Sequence, residues 1–468
     1  MYPLRPAPLS LACVLFLSGC ANAPDPGGSE GGRGQGADEV YELAPVPEGG
    51  GGDLPDDVNG DGYTDLLFLG PVETAGNEGT WEQTRRLVVV YGSERGPDPT
   101  TRTGLEAGAV TAVAAAGGGQ HLRAGTADLD GDGFSDIPVT TAPPSGQGVG
   151  GAAVFWGGPA GPDPDAAPVP LASVPSGEGS DGEWSPSGAA PAPGDFDGDG
   201  SADLVSFEES EGRSRLTVLY GPFERDGTPA RTGHRTVDAW VGDLVPGHLA
   251  EGVPTPLLVR RGDDGEQPGN TLYLTGGGDP EAWGEAELHA GGMSVFGDFD
   301  GDGETDLAVG DDGGRNNEPG HGTESPEVDD RLNVYHGPFD AGVPEPSSVR
   351  LTRDEGTYGV FRSLGGCDLD GDGADTLAVG LGGHGVDLLD DTGSGLAPNG
   401  APTLVRPDSG DGGAPVAHVF ACADHDADGS DELVLYQVPK ADWSAPLRWW
   451  VTDGSEDEAA FDGAGFED

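Results

Sequence analysis

A nine-residue acidic segment recurs six times along the chain and constrains its fold more than any other feature. The copy from Asp128 to Asp136, DLDGDGFSD, places carboxylates at positions 1, 3, 5 and 9 and glycine at position 6. Carboxylates this close repel one another unless a cation lies among them. Ca²⁺ takes six to eight oxygens at about 2.3–2.6 Å, and glycine at position 6 permits the sharp turn around the ion. The pattern therefore predicts calcium loops.

The predicted ligands are the side chains at positions 1, 3, 5 and 9 and the backbone carbonyl at position 7, which gives about six Ca²⁺ sites. Four loops are complete: Asp57, Asn59, Asp61, Tyr63 and Asp65; Asp128, Asp130, Asp132, Phe134 and Asp136; Asp195, Asp197, Asp199, Ser201 and Asp203; Asp298, Asp300, Asp302, Glu304 and Asp306. Two loops differ at position 9: Asp368, Asp370, Asp372, Ala374 and Thr376; Asp424, Asp426, Asp428, Ser430 and Glu432. In the loop that ends at Thr376, Asp375 is a candidate replacement for the missing carboxylate.

An EF-hand shares the first half of this pattern, but the second half excludes it. The EF-hand needs a bidentate Glu at position 12 and a helix after the loop. Position 12 is held by residues that offer no carboxylate, namely Phe68, Val139, Ser206, Val309, Val379 and Leu435. Each loop is followed by a short apolar run bounded by turn residues, which predicts a strand.

The spacing of the loops predicts a repeat architecture. Their first positions are residues 57, 128, 195, 298, 368 and 424, and the interval 298 − 195 = 103 is too wide for one repeat. A unit without metal ligands, marked by Asp243, divides that interval and brings the count to seven. Each unit carries about four short strand-like segments and almost no helical periodicity. This predicts an all-β fold, a seven-bladed β-propeller with calcium-binding DxDxDGxxD loops.

The units resemble the FG-GAP/VCBS repeats of integrin α-subunit propellers and of many exported bacterial proteins. The DxDxDGxxDL core followed by an aliphatic strand carries the resemblance, together with Phe296-Gly297 ahead of one loop. It implies that each loop joins the first and second strands of a blade and that the Ca²⁺ ions lie on one face. The unit marked by Asp243 departs from the pattern.

We expect the propeller to span residues 51–455. The last unit ends near Trp450 without an evident outer strand, so residues 40–46 are a candidate ring-closing strand and residues 456–468 are expected to form an acidic tail.

The N-terminus has the features of an export signal. Residues 1–19 contain a short apolar run that ends in Leu17-Ser18-Gly19-Cys20, which resembles the lipobox of bacterial lipoproteins. We expect lipidation of Cys20, a Gly/Pro-rich tether over residues 20–50, and anchoring to the outer face of the bacterial cell membrane. The alternative is an ordinary secretory signal. In the exported part, Cys367 and Cys422 form either one disulfide or two buried free thiols.

The charge of the chain excludes one class of partner. With 83 acidic and 22 basic residues, the formal net charge is −61. A nucleic acid needs a basic face, and an anionic lipid surface would repel the domain, so only the lipid anchor reaches the membrane.

No catalytic motif has a convincing context, and the sequence predicts a non-enzymatic binding or scaffold propeller, monomeric, with a protein or polysaccharide ligand at the cell surface. The alternatives are a lectin-like carbohydrate-binding propeller and a polysaccharide lyase or hydrolase with its site at the central channel. The variable connections expected to carry recognition are residues 70–83, 177–188, 311–330 and 380–400.

Overall fold

The structure is a computed structural model that describes most of the chain from residue 42 onward. The described residues are 42–75, 82–105, 110–113, 125–141, 151–172, 185–186, 189–210, 212–249, 252–262, 267, 269–314, 328, 330–339, 342–351, 362–381, 385–393, 395–406, 417–437 and 447–463. They belong to the second of two compact units, Gly36–Asp468. The predicted signal peptide, Cys20 and residues 20–41 of the tether lie outside them. The described residues contain no helix that is long and apolar enough to cross a membrane.

Twenty-eight described strands form seven antiparallel sheets, one for each blade. Blade one has β1 (Leu66–Ala75), β2 (Glu82–Val90) and β3 (Arg102–Leu105); blade two has β4 (Val110–Val113), β5 (Ile137–Thr141), β6 (Ala152–Phe155) and β7 (Val169–Pro170); blade three has β8 (Ser185–Pro186), β9 (Ala192–Gly194), β10 (Asp203–Ser210), β11 (Arg213–Tyr220) and β12 (Arg231–Val237). Blade four has β13 (Val241–Pro246), β14 (Leu257–Arg261), β15 (Asn270–Leu274) and β16 (Gly284–Leu288), with a short 3-10 helix at Pro280–Ala282; blade five has β17 (Met293–Gly297), β18 (Asp306–Gly310), β19 (Arg331–Tyr335) and β20 (Ser347–Arg350). Blade six has β21 (Ser363–Cys367), β22 (Thr376–Gly380), β23 (Val386–Asp391) and β24 (Leu396–Pro398); blade seven has β25 (Ala417–Ala423), β26 (Glu432–Gln437), β27 (Arg448–Thr452) and β28 (Asp457–Asp462).

The central strands are apolar on both faces because each blade is packed between two neighbours. Residues 66–69 (LLFL) are all buried, as are residues 433–435 (LVL). A strand covered on both faces reads as a continuous apolar run instead of an alternating one. This explains why the strands could be recognised in the sequence from short runs of Leu, Val and Phe.

Hydrophobic clusters shared by neighbouring blades close the ring. Separate clusters join blades two and three, three and four, four and five, five and six, and six and seven. One further cluster contains Phe68 of blade one, Ile137 of blade two and Trp449 of blade seven. The chain therefore forms the predicted seven-bladed β-propeller.

The two ends of the propeller differ from the sequence prediction. Residues 457–462, predicted to lie in an acidic tail, form β28, the outer strand of blade seven, and Phe461 packs against Trp449 with the rings 6.2 Å apart. The prediction was wrong because an outer strand is mostly exposed, and acidic residues fit its open face. The ring-closing strand predicted at residues 40–46 is also wrong over its described part, since residues 42–46 form no strand.

The position of the fourth unit also needs correction. Asp243 lies inside β13 and accepts a hydrogen bond from Arg260 at 2.8 Å, so it does not occupy the first position of a loop. The segment equivalent to the acidic loops is the connection from β13 to β14, residues 247–256, whose only carboxylate is Glu251. Because that connection has no acidic pattern, the sequence analysis placed the fourth unit at the nearest Asp, Asp243.

Cys367 and Cys422 form a disulfide, one of the two alternatives left open by the sequence. Their Cα atoms are 5.3 Å apart, and Cys367 is fully buried. Cys367 ends β21 and Cys422 lies in β25, so the bond joins the first strands of blades six and seven.

The predicted variable connections are partly strand. Residues 70–75 and 82–83 belong to β1 and β2, and residues 380–400 contain β23 and β24. Residues 76–81, 173–184, 315–327 and 382–384, which fall within or beside the predicted connections, lie outside the described part of the chain.

Candidate metal centres

The six acidic loops lie at equivalent places in six blades. In blades two, five, six and seven the loop joins the first strand to the second, in blade three it joins β9 to β10, and in blade one it precedes β1. Consecutive strands of a blade run in opposite directions, so all of these loops lie at the same end of their blades. This is the arrangement that the repeat resemblance implied.

Hydrogen bonds between loops of neighbouring blades connect this face. The N–H at position 8 donates to the carbonyl at position 1 of the preceding loop, as in Ser135 to Asp57 at 3.0 Å and Asp431 to Asp368 at 2.7 Å. Between blades seven and one, the His425 Nδ1 donates to the Thr64 carbonyl at 2.8 Å. The candidate centres are therefore held in fixed relation to their neighbours.

The first Asp of each loop organises the backbone around it. In blade one, Asp57 Oδ1 accepts the N–H groups of Gly60 and Asp61 at 2.7 and 3.2 Å, and Oδ2 accepts that of Gly62 at 2.9 Å. The same three bonds recur at Asp128, Asp195 and Asp298. At Asp368 and Asp424 the bonds from positions 5 and 6 are kept.

Positions 4 and 6 both adopt the left-handed backbone conformation. In blade one φ is 68° at Gly60 and 93° at Gly62. The sequence analysis assigned this role to position 6 alone, although glycine at position 4 of five loops was a visible signal. In blade seven position 4 is Ala427, at φ 59°, a conformation that costs a residue with a side chain about 1–2 kcal/mol.

In the four complete loops, the ninth carboxylate ties the loop to the end of the second strand that follows it. Asp136 accepts the N–H of Leu129 at 2.9 Å and that of Gly157 at 2.8 Å, and equivalent pairs of bonds hold Asp65, Asp203 and Asp306. These four carboxylates are at most 2% exposed. Burial raises the pKa of Asp136 and of Glu432 to about 8 and that of Asp203 to about 7.

The glycine that recurs after the second strand beyond each complete loop has a steric cause. A Cβ atom added to Gly157 would lie 2.5 Å from the carbonyl oxygen at position 8 of its own loop, and one added to Gly221 would lie 2.3 Å from the equivalent oxygen. Only glycine lets the strand end approach closely enough to bind the ninth carboxylate.

Most of the predicted side-chain ligands converge. Ligand atoms lie within 4.8 Å of one another in four sets: Asp424, Asp426, Asp428 and Glu432; Asp128, Asp130 and Asp136; Asp195, Asp197 and Asp199; Asp298, Asp300 and Asp302. Position 7 contributes its backbone N–H to the carboxylate at position 5, for example from Ser201 to Asp199 at 2.8 Å.

In blade six, the side chain at position 9 of the loop, Thr376, is not arranged as the predicted ligand. The Thr376 hydroxyl donates to Asp390 Oδ1 at 2.7 Å, and Asp390 comes from β23. Asp375 does not replace the missing carboxylate, because its side chain accepts the Asp298 N–H of blade five at 2.7 Å.

Basic side chains that the sequence analysis missed contact three of the loops. Arg225 forms ion pairs with Asp130 and Asp132 in blade two, and Arg231 forms one with Asp197 in blade three. In blade five, His336 Nδ1 lies 3.1 Å from Asp306 Oδ2. These residues come from later strands or from the next blade, so their positions could not be read from the loop sequence.

We expect Arg225→Gln to strengthen Ca²⁺ binding in blade two by about 3–5-fold. The Arg225 guanidinium competes with Ca²⁺ for Asp130 and Asp132, and the variant removes it. The expected effect is small because half-exposed ion pairs are weak. Terbium luminescence sensitised by Trp156, which lies against Arg225, reports this loop selectively. Arg215→Gln, which removes a pair with Glu208 outside the loops, is the control. Unchanged or weaker binding in Arg225→Gln would contradict the competition.

In the metal-free protein we expect acid to stabilise the domain. In the unfolded chain the pKa of an Asp or Glu side chain is about 4. In the folded state the pKa values of Asp136, Asp203 and Glu432 are higher than this. The folded state therefore binds more protons, and the free energy of unfolding falls as the pH rises from about 5 to 8. After dialysis against a chelator, the melting temperature should fall across this range, and saturating Ca²⁺ should reduce the fall. A melting temperature that rises with pH in the metal-free protein would refute this.

No protein-family model matches the chain, and no curated protein matches it. Among solved structures, it is similar to a chimera of ACO and RPE65 in a monoclinic crystal form. The two are 13% identical, with 90% of this chain and 94% of that chain covered and a TM-score of 0.40. At these values the likeness bears on no ligand or activity.

Proposed function

We propose that the chain is a non-enzymatic binding or scaffold propeller of the FG-GAP/VCBS type, stabilised by Ca²⁺ in its acidic loops. It is exported, and a lipid on Cys20 anchors it to the outer face of the bacterial cell membrane. Its ligand is a protein or a polysaccharide at the cell surface.

The observation that carries the calcium assignment is an unsatisfied buried oxygen at position 3. Asn59 is fully buried, and its Nδ2 donates to Pro47 O at 3.1 Å and to Asp61 Oδ2 at 2.9 Å. Its Oδ1 has no hydrogen-bond partner among the described residues, and the same is true of Asp130 Oδ1 in blade two. A buried oxygen without a partner costs about 1–3 kcal/mol, and a cation in the loop removes that cost.

The donor set of the loops favours calcium over softer metals. Five of the six loops present only oxygen atoms within the described contacts, from carboxylates, one amide and backbone carbonyls. Hard oxygen ligands in a flexible loop suit Ca²⁺. Burial raises the pKa values of the ninth carboxylates in blades two and three, and a cation beside them would favour their charged form.

In blade six we propose that Asp390 supplies the carboxylate ligand that position 9 supplies in the complete loops. Leu377 pairs with Leu389, so Thr376 and Asp390 face each other one residue further along the two strands. The carboxylate has thus moved from the loop to the strand beside it, with Thr376 as its hydrogen-bond donor.

Burial of the loop carboxylates supports a structural role over catalysis. Asp65, Asp136, Asp203 and Asp306 are at most 2% exposed, and two backbone N–H groups hold each of them. A general acid or base must come within hydrogen-bond reach of its substrate. These four carboxylates are enclosed, and we assign them to metal binding and to holding the loops in place.

The face opposite the loops is our candidate for recognition. It carries the connections from second to third strands and those between blades, which vary in length. Trp240, between β12 and β13, lies on this face and is 46% exposed, with its Nε1 donating to Glu209 at 2.6 Å. An exposed Trp held in one orientation is typical of a binding surface.

A glycan array probed with the calcium-loaded protein, beside polysaccharide degradation assays, tests the proposal. We expect no product formation. Binding on the array would identify the ligand as a polysaccharide, and Trp240→Ala should weaken that binding while leaving the calcium-dependent melt unchanged. Trp156→Phe, on the loop side, is the matched control. Release of shortened polysaccharide would instead favour the enzyme.

Lipid anchoring has its own test. In a bacterial host we expect wild-type protein in the membrane fraction and Cys20→Ala in the soluble exported fraction, because a single short apolar segment cannot remain as a membrane span. Equal partition of the two proteins would contradict lipidation of Cys20.

A further inference from the structure

Blade five places a nitrogen ligand where the other complete loops have an aromatic ring. Leu307 pairs with Tyr335, so Asp306 and His336 face each other one residue further along. The same place opposite the ninth carboxylate is held by Tyr91 in blade one, Trp156 in blade two and Tyr220 in blade three. Among the described loops, that of blade five therefore differs from the rest in its chemistry.

The imidazole and two carboxylates converge on one point. His336 Nδ1 lies 3.1 Å from Asp306 Oδ2 and 3.5 Å from Asp300 Oδ2, and the three ligand atoms lie within 4.8 Å of one another. For a tetrahedral metal with bonds of about 2.0–2.1 Å, neighbouring ligand atoms are roughly 3.3–3.4 Å apart. The two measured separations are close to that value.

The other ring nitrogen has the partner that a metal-ligating histidine normally has. His336 Nε2 lies 3.2 Å from Asp391 Oδ2 of blade six, whose side chain is 4% exposed. A histidine that binds a metal through one nitrogen usually donates the N–H of the other to a carboxylate, which fixes its tautomer and orientation. Here Asp391 would direct Nδ1 toward the loop.

We propose that the blade-five loop binds a divalent transition-metal ion, with Zn²⁺ as the reference ion, through Asp300, Asp306 and His336. Imidazole nitrogen suits Zn²⁺, whereas Ca²⁺ prefers oxygen alone. Asp298 and Asp302 converge with Asp300 as a separate group in the same loop. This proposal shares with the proposed function the premise that the loops are metal sites. It differs in assigning a transition metal instead of Ca²⁺ to one of the six loops.

The test uses the full chain with Cys13 and Cys20 alkylated without reductant and with 1 mM Ca²⁺ present throughout. Zinc content after equilibrium dialysis and zinc affinity by calorimetry are compared between wild type and His336→Phe, which installs the aromatic type found in the other blades. We expect wild type to hold one more zinc ion, with at least about a 100-fold loss of affinity at that site in the variant. His289→Phe, which removes an exposed histidine of the same region, should behave as wild type.

Two further measurements keep the result decisive. Asp391→Asn should weaken zinc binding by about 10–100-fold while leaving the stoichiometry intact. Co²⁺ bound to wild type should give the visible absorption of a nitrogen-containing site, and this does not depend on any variant folding. Equal zinc binding in His336→Phe, or a cobalt spectrum of an all-oxygen site, would show that His336 only hydrogen bonds to Asp306.

The calcium-dependent melt of the same samples separates this proposal from the broader one. If Ca²⁺ raises the melting temperature but zinc binds without His336, the calcium propeller stands and the blade-five assignment fails. If Ca²⁺ has no effect and zinc binds through His336, the calcium assignment fails and the blade-five zinc assignment stands.

Discussion

Removal of Ca²⁺ is expected to lower the melting temperature of the domain by roughly 10 °C or more. Each independent site occupied at a hundredfold excess over its Kd adds about 2.7 kcal/mol, so four sites add about 11 kcal/mol. With an unfolding entropy of about 2.1 cal/mol/K per residue, a domain of roughly 400 residues then melts about 12 °C higher. The physical source is visible in blade two, where Asp136 is fully buried with a raised pKa and Asp130 Oδ1 has no partner among the described residues. Differential scanning calorimetry with EDTA and with millimolar Ca²⁺ measures the effect.

Single-loop variants show whether the effect comes from the proposed sites. Asp199→Ala, at position 5 of blade three, should reproduce part of the loss seen with EDTA. Asp163→Ala is the control, because Asp163 lies outside the loops and accepts only the Asp165 N–H in the described contacts. A melting temperature indifferent to both chelator and Ca²⁺ would remove the basis of the calcium assignment.

Loss of the disulfide is expected to lower the free energy of unfolding by about 4 kcal/mol. The two cysteines are 55 residues apart, and the closure of a loop of that length restricts the unfolded chain by about this amount. Replacing both, as Cys367→Ala with Cys422→Ala, avoids leaving a free thiol in the core. Denaturant unfolding of the calcium-loaded protein measures the change, with Cys20→Ala as the control.

Thiol titration tests the bond itself. In the denatured but non-reduced protein, neither Cys367 nor Cys422 should react with a thiol reagent, and reduction should expose two additional thiols. Reaction of both cysteines before reduction would show that the pair is not bonded, and the stability effect would then need another cause.

The sequence was sufficient to predict the blades because six of the seven carry their own local signal. The spacing of positions 1, 3, 5 and 6 marks the turn between two strands, and runs such as Leu66 to Leu69 mark a strand buried on both faces. The fourth blade was inferred from the wide interval between residues 195 and 298, and the seven units together predict a ring without any knowledge of distant contacts.

The features that sequence reasoning missed depend on contacts across strands. The hydrogen bond from Thr376 to Asp390 and the approach of His336 to Asp306 both require the register of two paired strands. The ion pairs of Arg225 require the packing of blade three on blade two. The outer strand β28 gives little local signal, since it is largely exposed and acidic.

The way in which blades one and seven meet has a consequence for the order of the chain. Among the described strands, β25–β28 alone form the sheet of blade seven, and no strand from blade one enters it. The two blades are joined by side-chain packing, such as Phe68 on Trp449 at 4.4 Å between ring centroids, and by the His425 contact with Thr64. This junction, like those between the other neighbouring blades, is held by side-chain packing. The fold therefore does not depend on which blade comes first, and a circular permutant opened between β16 and β17 would retain every sheet.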